Sequence, residues 1–121
     1  MLVSWKMNSL EKQAFIRRIA VENRFDPKGT KIYWSRHAIT EAIQDDLTRQ
    51  EVEATLENGD VIEDYPTGHR PLPDCLVLGF LTDARPIHAV VAIDEANDRV
   101  FLVTVYLPDE ERWHHDWRTR K

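Results

Sequence analysis

Only one cysteine, Cys75, stands among the 121 residues, so no internal disulfide can form and no thiolate cage for a metal can be built. Missing too is any apolar run near the ~18 residues that a membrane span requires. The opening stretch MLVSWKMNSLEK has no apolar core of the kind that leads a chain into export. These absences make the cytoplasm the expected compartment. A basic excess is also lacking: 16 Lys and Arg against 21 Asp and Glu give a formal charge of −5. Phosphate neutralisation supplies most non-specific affinity for nucleic acid, so the chain as a whole is not built to coat one.

What is present is a globular composition, 42% hydrophobic and 31% charged, in a length that suits a single core. The charge is unevenly spread. FIRRIAVENRF and ERWHHDWRTRK are locally basic, while EAIQDDLTRQEVEATLENGDVIED is strongly acidic.

The first half carries helical signals. Asn8 with Glu11 forms a capping box, and Leu10, Ala14, Phe15 and Ile19 recur at helical spacing before FDPKGT turns the chain. KIYWS reads as a short strand. Ser35 is positioned to cap a second helix whose apolar face is Ile39, Ala42 and Ile43, with Leu47 packing at its end. Thr48 and Glu51 box a third helix with Val52 and Leu56 inward, and Asn58-Gly59 offers a left-handed stop.

The second half changes period. DVIEDYP reads as a strand near an edge, and the proline-bearing TGHRPLPD as a loop. CLVLGFLT, RPIHAVVAI and RVFLVTVYL are three further strands, joined by a tight turn at Asp83-Ala84 and by DEAND. The tail PDEERWHHDWRTR reads as helical, with Trp113 and Trp117 one turn apart. The expected fold class is α+β: an N-terminal helix, then strand–helix–helix–four-strand antiparallel meander, with a C-terminal helical tail.

Centring the last hairpin on Ala96 sets Ile93 opposite Arg99, Val91 opposite Phe101, Ala89 opposite Val103 and His88 opposite Thr104, with Tyr106 diagonal. One face then holds Leu76, Leu78, Phe80, Ala89, Val91, Phe101, Val103 and Val105. The other is mixed and carries Cys75, Val77, Gly79, Leu81, His88, Val90, Leu102, Thr104 and Tyr106. Two readings of His88 stand. It is a satisfied core histidine beneath the tail tryptophans, or a general acid/base or phosphate ligand, for which an imidazole titrates in the right range.

YWSRHAITEAI, TRQEVEATLENGDVIEDYP, RPIHAVVAI and LVTVYLPDEERW together resemble a bacterial family of small domains of unknown function. That family is similar in arrangement to the RelE/BrnT-like toxins of type II toxin–antitoxin systems, small α+β ribonucleases. The resemblance covers roughly residues 31–118. It implies a RelE/BrnT-like domain over 31–121 behind an N-terminal helical extension over 1–30. It also implies that His37, His88, Thr104 and Tyr106 line the RNA-facing surface. Where such relatives carry an Arg-Gly pair after the first short helix, this chain has Asp45 and Asp46.

On that resemblance the expected activity is metal-independent RNA cleavage, with an antitoxin protein as partner. His37 and His88 would be the acid/base pair, Tyr106 a positioner, and Arg36, Arg85 and Thr104 the substrate contacts. Arg70 and the tail arginines Arg112, Arg118 and Arg120 are further sources of local positive charge. No cofactor or metal is expected. His114, His115 and Asp116 are adjacent and splay apart on a helix, so a site would need His69 or Glu110 as well. The alternative is a non-catalytic interaction domain, suggested by the acidic Glu41, Asp45, Asp46, Glu51, Glu53 and Glu57. Its partner would be a homodimer mate or a basic protein.

Overall fold

Asn8 caps α1 (Ser9–Phe25) through a reciprocal box with Glu11, as the spacing predicts. The computed structural model describes residues 7–65 and 71–121. After α1 come β1 (Ile32–Trp34), α2 (Arg36–Gln44), α3 (Arg49–Thr55), a single 3₁₀ turn, β2 (Asp60–Asp64), β3 (Asp74–Phe80), β4 (Pro86–Asp94) and β5 (Arg99–Tyr106). Ser35 caps α2 by accepting from the Ala38 amide, and Thr48 with Glu51 boxes the start of α3.

The five strands form one mixed sheet in the order β1-β5-β4-β3-β2. The antiparallel meander of the last four strands is present, and β1 adds to it in parallel along β5. The class is α+β. Three helices cover one face, where Ile16, Ile19, Ile32, Val52, Leu56, Val77, Ile87, Val91, Val100 and Leu102 form the main core. α1 belongs to that core through Phe15, Ile16, Ile19 and Ala20. It is also pinned by charge. Buried Lys12 binds Asp64 of β2 and the Asp74 carbonyl at 2.9 Å. Arg18, with Lys31, holds Asp98 in the β4–β5 turn.

Three local expectations are overturned. The tail after Pro108 is a string of turns closed by a bridge between Trp113 and Arg120, not a helix. Pairing to β2 and to the sheet's free face supplies its partners, so Trp113 and Trp117 are not successive rungs of one helix. Gly59 is extended (φ −70°), not a left-handed cap. Its value is room, since a Cβ there would lie 2.5 Å from Val77 Cγ1. α2 turns Ala38 and Ala42 inward and leaves Ile39 47% and Ile43 73% exposed.

The sheet register also differs. The β3–β4 loop spans 81–85, with Ala84 at φ 72°, so Leu78 pairs with His88 and Leu76 with Val90. That one-residue slip exchanges the two faces of β3. Cys75 and Val77 join the helix side, and Leu76 the opposite side. The β4–β5 loop holds four residues, with Asp98 left-handed at φ 52°, which sets Asp94 opposite Arg99 and Ile93 opposite Val100. A bulge between Val90 and Val91 then adds a second slip. As a result His88 faces Tyr106 directly, Thr104 pairs with Val90, and Leu102 rather than Phe101 enters the main core.

Candidate functional site

Leu76 and Val90 face away from the helices, and the tail lies across them. Trp113 is 2% exposed there, packed with Ile62, Tyr65, Val103 and Trp117. His88 belongs to this layer and has no solvent exposure. Its Nδ1 lies 3.1 Å from Tyr106 Oη and its Nε2 2.7 Å from the Trp117 carbonyl. A carbonyl can only accept, so Nε2 carries the proton and donates, and Nδ1 accepts from the phenol. The Trp113 ring meets the imidazole edge-on at 4.4 Å between centroids. Burial pushes the His88 pKa below its ordinary value, with the Trp117 carbonyl opposing. Burial likewise raises that of Tyr106. Both ring nitrogens of His88 are thus engaged within the protein, while Tyr106 is half-buried.

Salt links fasten the cover. Arg120 Nε donates to Glu63 Oε2 at 2.6 Å and Nη2 to Oε1 at 3.0 Å, while its guanidinium stacks 4.6 Å from the Trp113 centroid. Arg118 binds Asp60, which Arg17 of α1 also holds. The locally basic tail therefore spends Arg118 and Arg120 on the acidic edge strand β2.

The other expected site residues gather elsewhere. His37 stands in the first turn of α2, 70% exposed, with Nε2 3.2 Å from Glu41 Oε2. Glu41 turns its second oxygen to β5, accepting from the Thr104 hydroxyl and, at 2.9 Å, from the Val105 amide. Thus Thr104 is joined to His37 through Glu41, and His88 to Tyr106. The two histidines occupy opposite environments. Arg36 is exposed beside His37. Arg85 is exposed in the β3–β4 loop and paired with Asp83 at 2.8 Å. Arg70 and His69 lie outside the described residues.

Glu41 is the residue that sequence reasoning placed only among surface acids. Its i, i+4 spacing from His37 was the available signal; its reach into the β5 bulge had none. Glu53 and Glu57 of the same acidic stretch are also engaged. Glu53 accepts from Asn23, Trp34 and Arg49, and Glu57 from Arg24. A cleft of about 510 Å³ opens between the end of α1, the 26–30 turn and α3, with Arg24, Lys28 and Arg49 on its walls. Glu53 and Glu57 line it, but none of the expected acid/base or substrate-contact residues does. Buried Cys75 has its thiol pKa pushed up to about 12 by burial, which suits packing rather than nucleophilic attack. Among the described residues no three His, Cys, Asp or Glu side chains converge to hold a metal, and no helix is long and apolar enough to cross a membrane.

A family model, described as a domain of unknown function (DUF4258), matches residues 34–107. The chain belongs to that family. No curated protein and no solved structure matches it. The family segment begins at the end of β1 and closes just beyond β5. Both α1 and the tail that seals His88 therefore lie outside it. His37, Glu41, His88, Thr104 and Tyr106 all lie inside.

Proposed function

We propose that this DUF4258 member works as a non-catalytic interaction domain. The observation that carries the reading is His88, the one strand histidine among the described residues. Its two ring nitrogens are engaged by Tyr106 and by the Trp117 carbonyl, under a tail held to β2 by ion pairs. An acid/base catalyst needs a nitrogen free to exchange a proton with substrate, and here both are occupied away from solvent. The test is a bacterial cell-free translation extract dosed with the purified chain and, in parallel, with His37→Ala. Unimpaired translation in both supports a binding role. Inhibition by the wild type that His37→Ala abolishes overturns it.

A second reading is favoured by one contact. His37 is exposed and held by the Glu41 carboxylate, an arrangement that orients an imidazole for proton abstraction. On that reading the chain is a RelE/BrnT-like, metal-independent ribonuclease toxin paired with an antitoxin. His37 would take the ribose 2′-OH proton, and Arg36 would contact phosphate. The same assay decides between the two readings, and inhibition lost in His37→Ala is the result this one expects.

A further inference from the structure

α2 is the element whose charges and apolar residues are placed against its own interest. Its large side chains Ile39 and Ile43 face solvent while its alanines face the core. At 100° per residue, Arg36, Ile39 and Ile43 fall within 60° of one another around the helix, a single stripe along its outer surface. The helix has no acid in its first turn and no base in its last. Arg36 and His37 stand at the positive end of the dipole, and Asp45 and Asp46 at the negative end. α1 and α3 do the opposite, with Glu11 and Glu51 in their first turns. Among the described residues neither Arg36 nor Asp46 has an ion-pair partner, and both are exposed.

A stripe that runs basic, apolar, apolar, acidic is complementary to itself when reversed. Two copies of α2 laid antiparallel across a two-fold axis set Arg36 against Asp46 of the other copy and Ile39 against its Ile43. Each copy then also brings its negative helix end beside the other's positive end, which relieves both unfavourable charge placements. We propose that this face of α2 is a self-association surface and that its occupant is a second copy of this chain. The inference rests on the interaction-domain reading and names its partner. The outer sheet face is already occupied by the tail.

A pair of nine-residue helices buries less than the ~1,200 Å² of a standard stable interface, so the dimer is weak and forms with rising concentration. Sedimentation velocity from micromolar to near-millimolar chain is the measurement. The wild type should pass from one chain to two. Ile43→Glu should remain monomeric, as should Arg36→Glu and Asp46→Lys taken singly, each weakened by ~10-fold or more because like charges meet twice by symmetry. An equal mixture of Arg36→Glu and Asp46→Lys should dimerise again, since every charge contact is then opposite in sign. All three positions are exposed, and circular dichroism checks that each variant folds.

A wild type monomeric throughout overturns the proposal, as does a dimer indifferent to Ile43→Glu, or a mixture that fails to pair. A monomer that also leaves translation untouched removes this surface and leaves the interaction-domain reading in place. A chain that cleaves RNA removes that reading instead.

Discussion

Glu41 and Thr104 tie the first helix of the family segment to its last strand: the Thr104 hydroxyl donates to Glu41 Oε1, which also accepts the Val105 amide at 2.9 Å. The Val105 amide lies just past the bulge, so the carboxylate holds the strand where its ladder is interrupted. Glu41→Ala leaves that amide without its carboxylate and should cost about 2–3 kcal/mol, with Glu41→Gln costing about 1 kcal/mol because an amide oxygen still accepts. Urea unfolding of the two variants checks the ranking. Equal losses would mean that an amide oxygen cannot stand in for the carboxylate and that the charge carries the contribution.

Acid should loosen this protein before its carboxylates titrate. Burial holds the folded pKa of His88 below 6.5, so the unfolded chain takes up a proton that the native chain refuses. Stability is therefore full above about pH 7 and falls as pH drops through the unfolded value near 6.5. In His88→Gln the slope of unfolding free energy against pH should flatten just below about pH 7. An unchanged slope would show that the imidazole is not buried neutral. Tyr106→Phe removes the donor to Nδ1 and should cost about 1–2 kcal/mol with little change in slope.

Hydrophobic cover, rather than ion pairing, should hold the tail down. Trp113 is buried against Leu76 and Val90, and Trp113→Ala should cost about 3–5 kcal/mol. Arg120 is more than half exposed, so Arg120→Ala should cost about 1 kcal/mol or less despite its two-point contact with Glu63. Thermal melts of the two variants give the comparison, and a larger loss for Arg120→Ala would reverse the assignment.

Gly79 should tolerate substitution worse than Gly59. A Cβ there would sit 2.8 Å from the Thr55 carbonyl oxygen and 2.7 Å from Thr55 Cβ, a helix end that cannot swing aside. At Gly59 the closest obstacle is one methyl of Val77, with the Thr55 carbonyl oxygen farther off at 3.3 Å. Gly79→Ala should lose about 2 kcal/mol or more. Gly59→Ala should lose less wherever Val77 can change rotamer, and denaturant midpoints for the pair test the order.

The capping residues Asn8, Ser35 and Thr48 could be read directly, because a cap is a contact between neighbours in sequence. The meander was legible for a similar reason, since each of its strands pairs with the next. What escaped was everything set by loop geometry or by distant chain. One residue fewer in the β4–β5 loop decided that Leu102 rather than Phe101 entered the core, and the bulge beside Val90 set Tyr106 opposite His88. No local pattern gives those lengths. The tail misled by its i, i+4 tryptophans, which pack on β-sheet rather than on a helix axis. In α2 the isoleucines suggested a buried face, and only the tertiary arrangement reveals that the alanines hold it. Of the candidate site residues, His88 meets Tyr106 directly where Thr104 was expected opposite it, and its other partner, the Trp117 carbonyl, is one that no side-chain pattern announces.

The strap over the sheet has a consequence for synthesis. A ribosome delivers β2 through β5 before it delivers Trp113 and Trp117, so for a time the meander carries a greasy back with a histidine lacking its acceptor. The nascent chain must wait, half-finished and adhesive, until the last turns emerge. Whatever receives the growing polypeptide meets that surface first, and the mature protein conceals it.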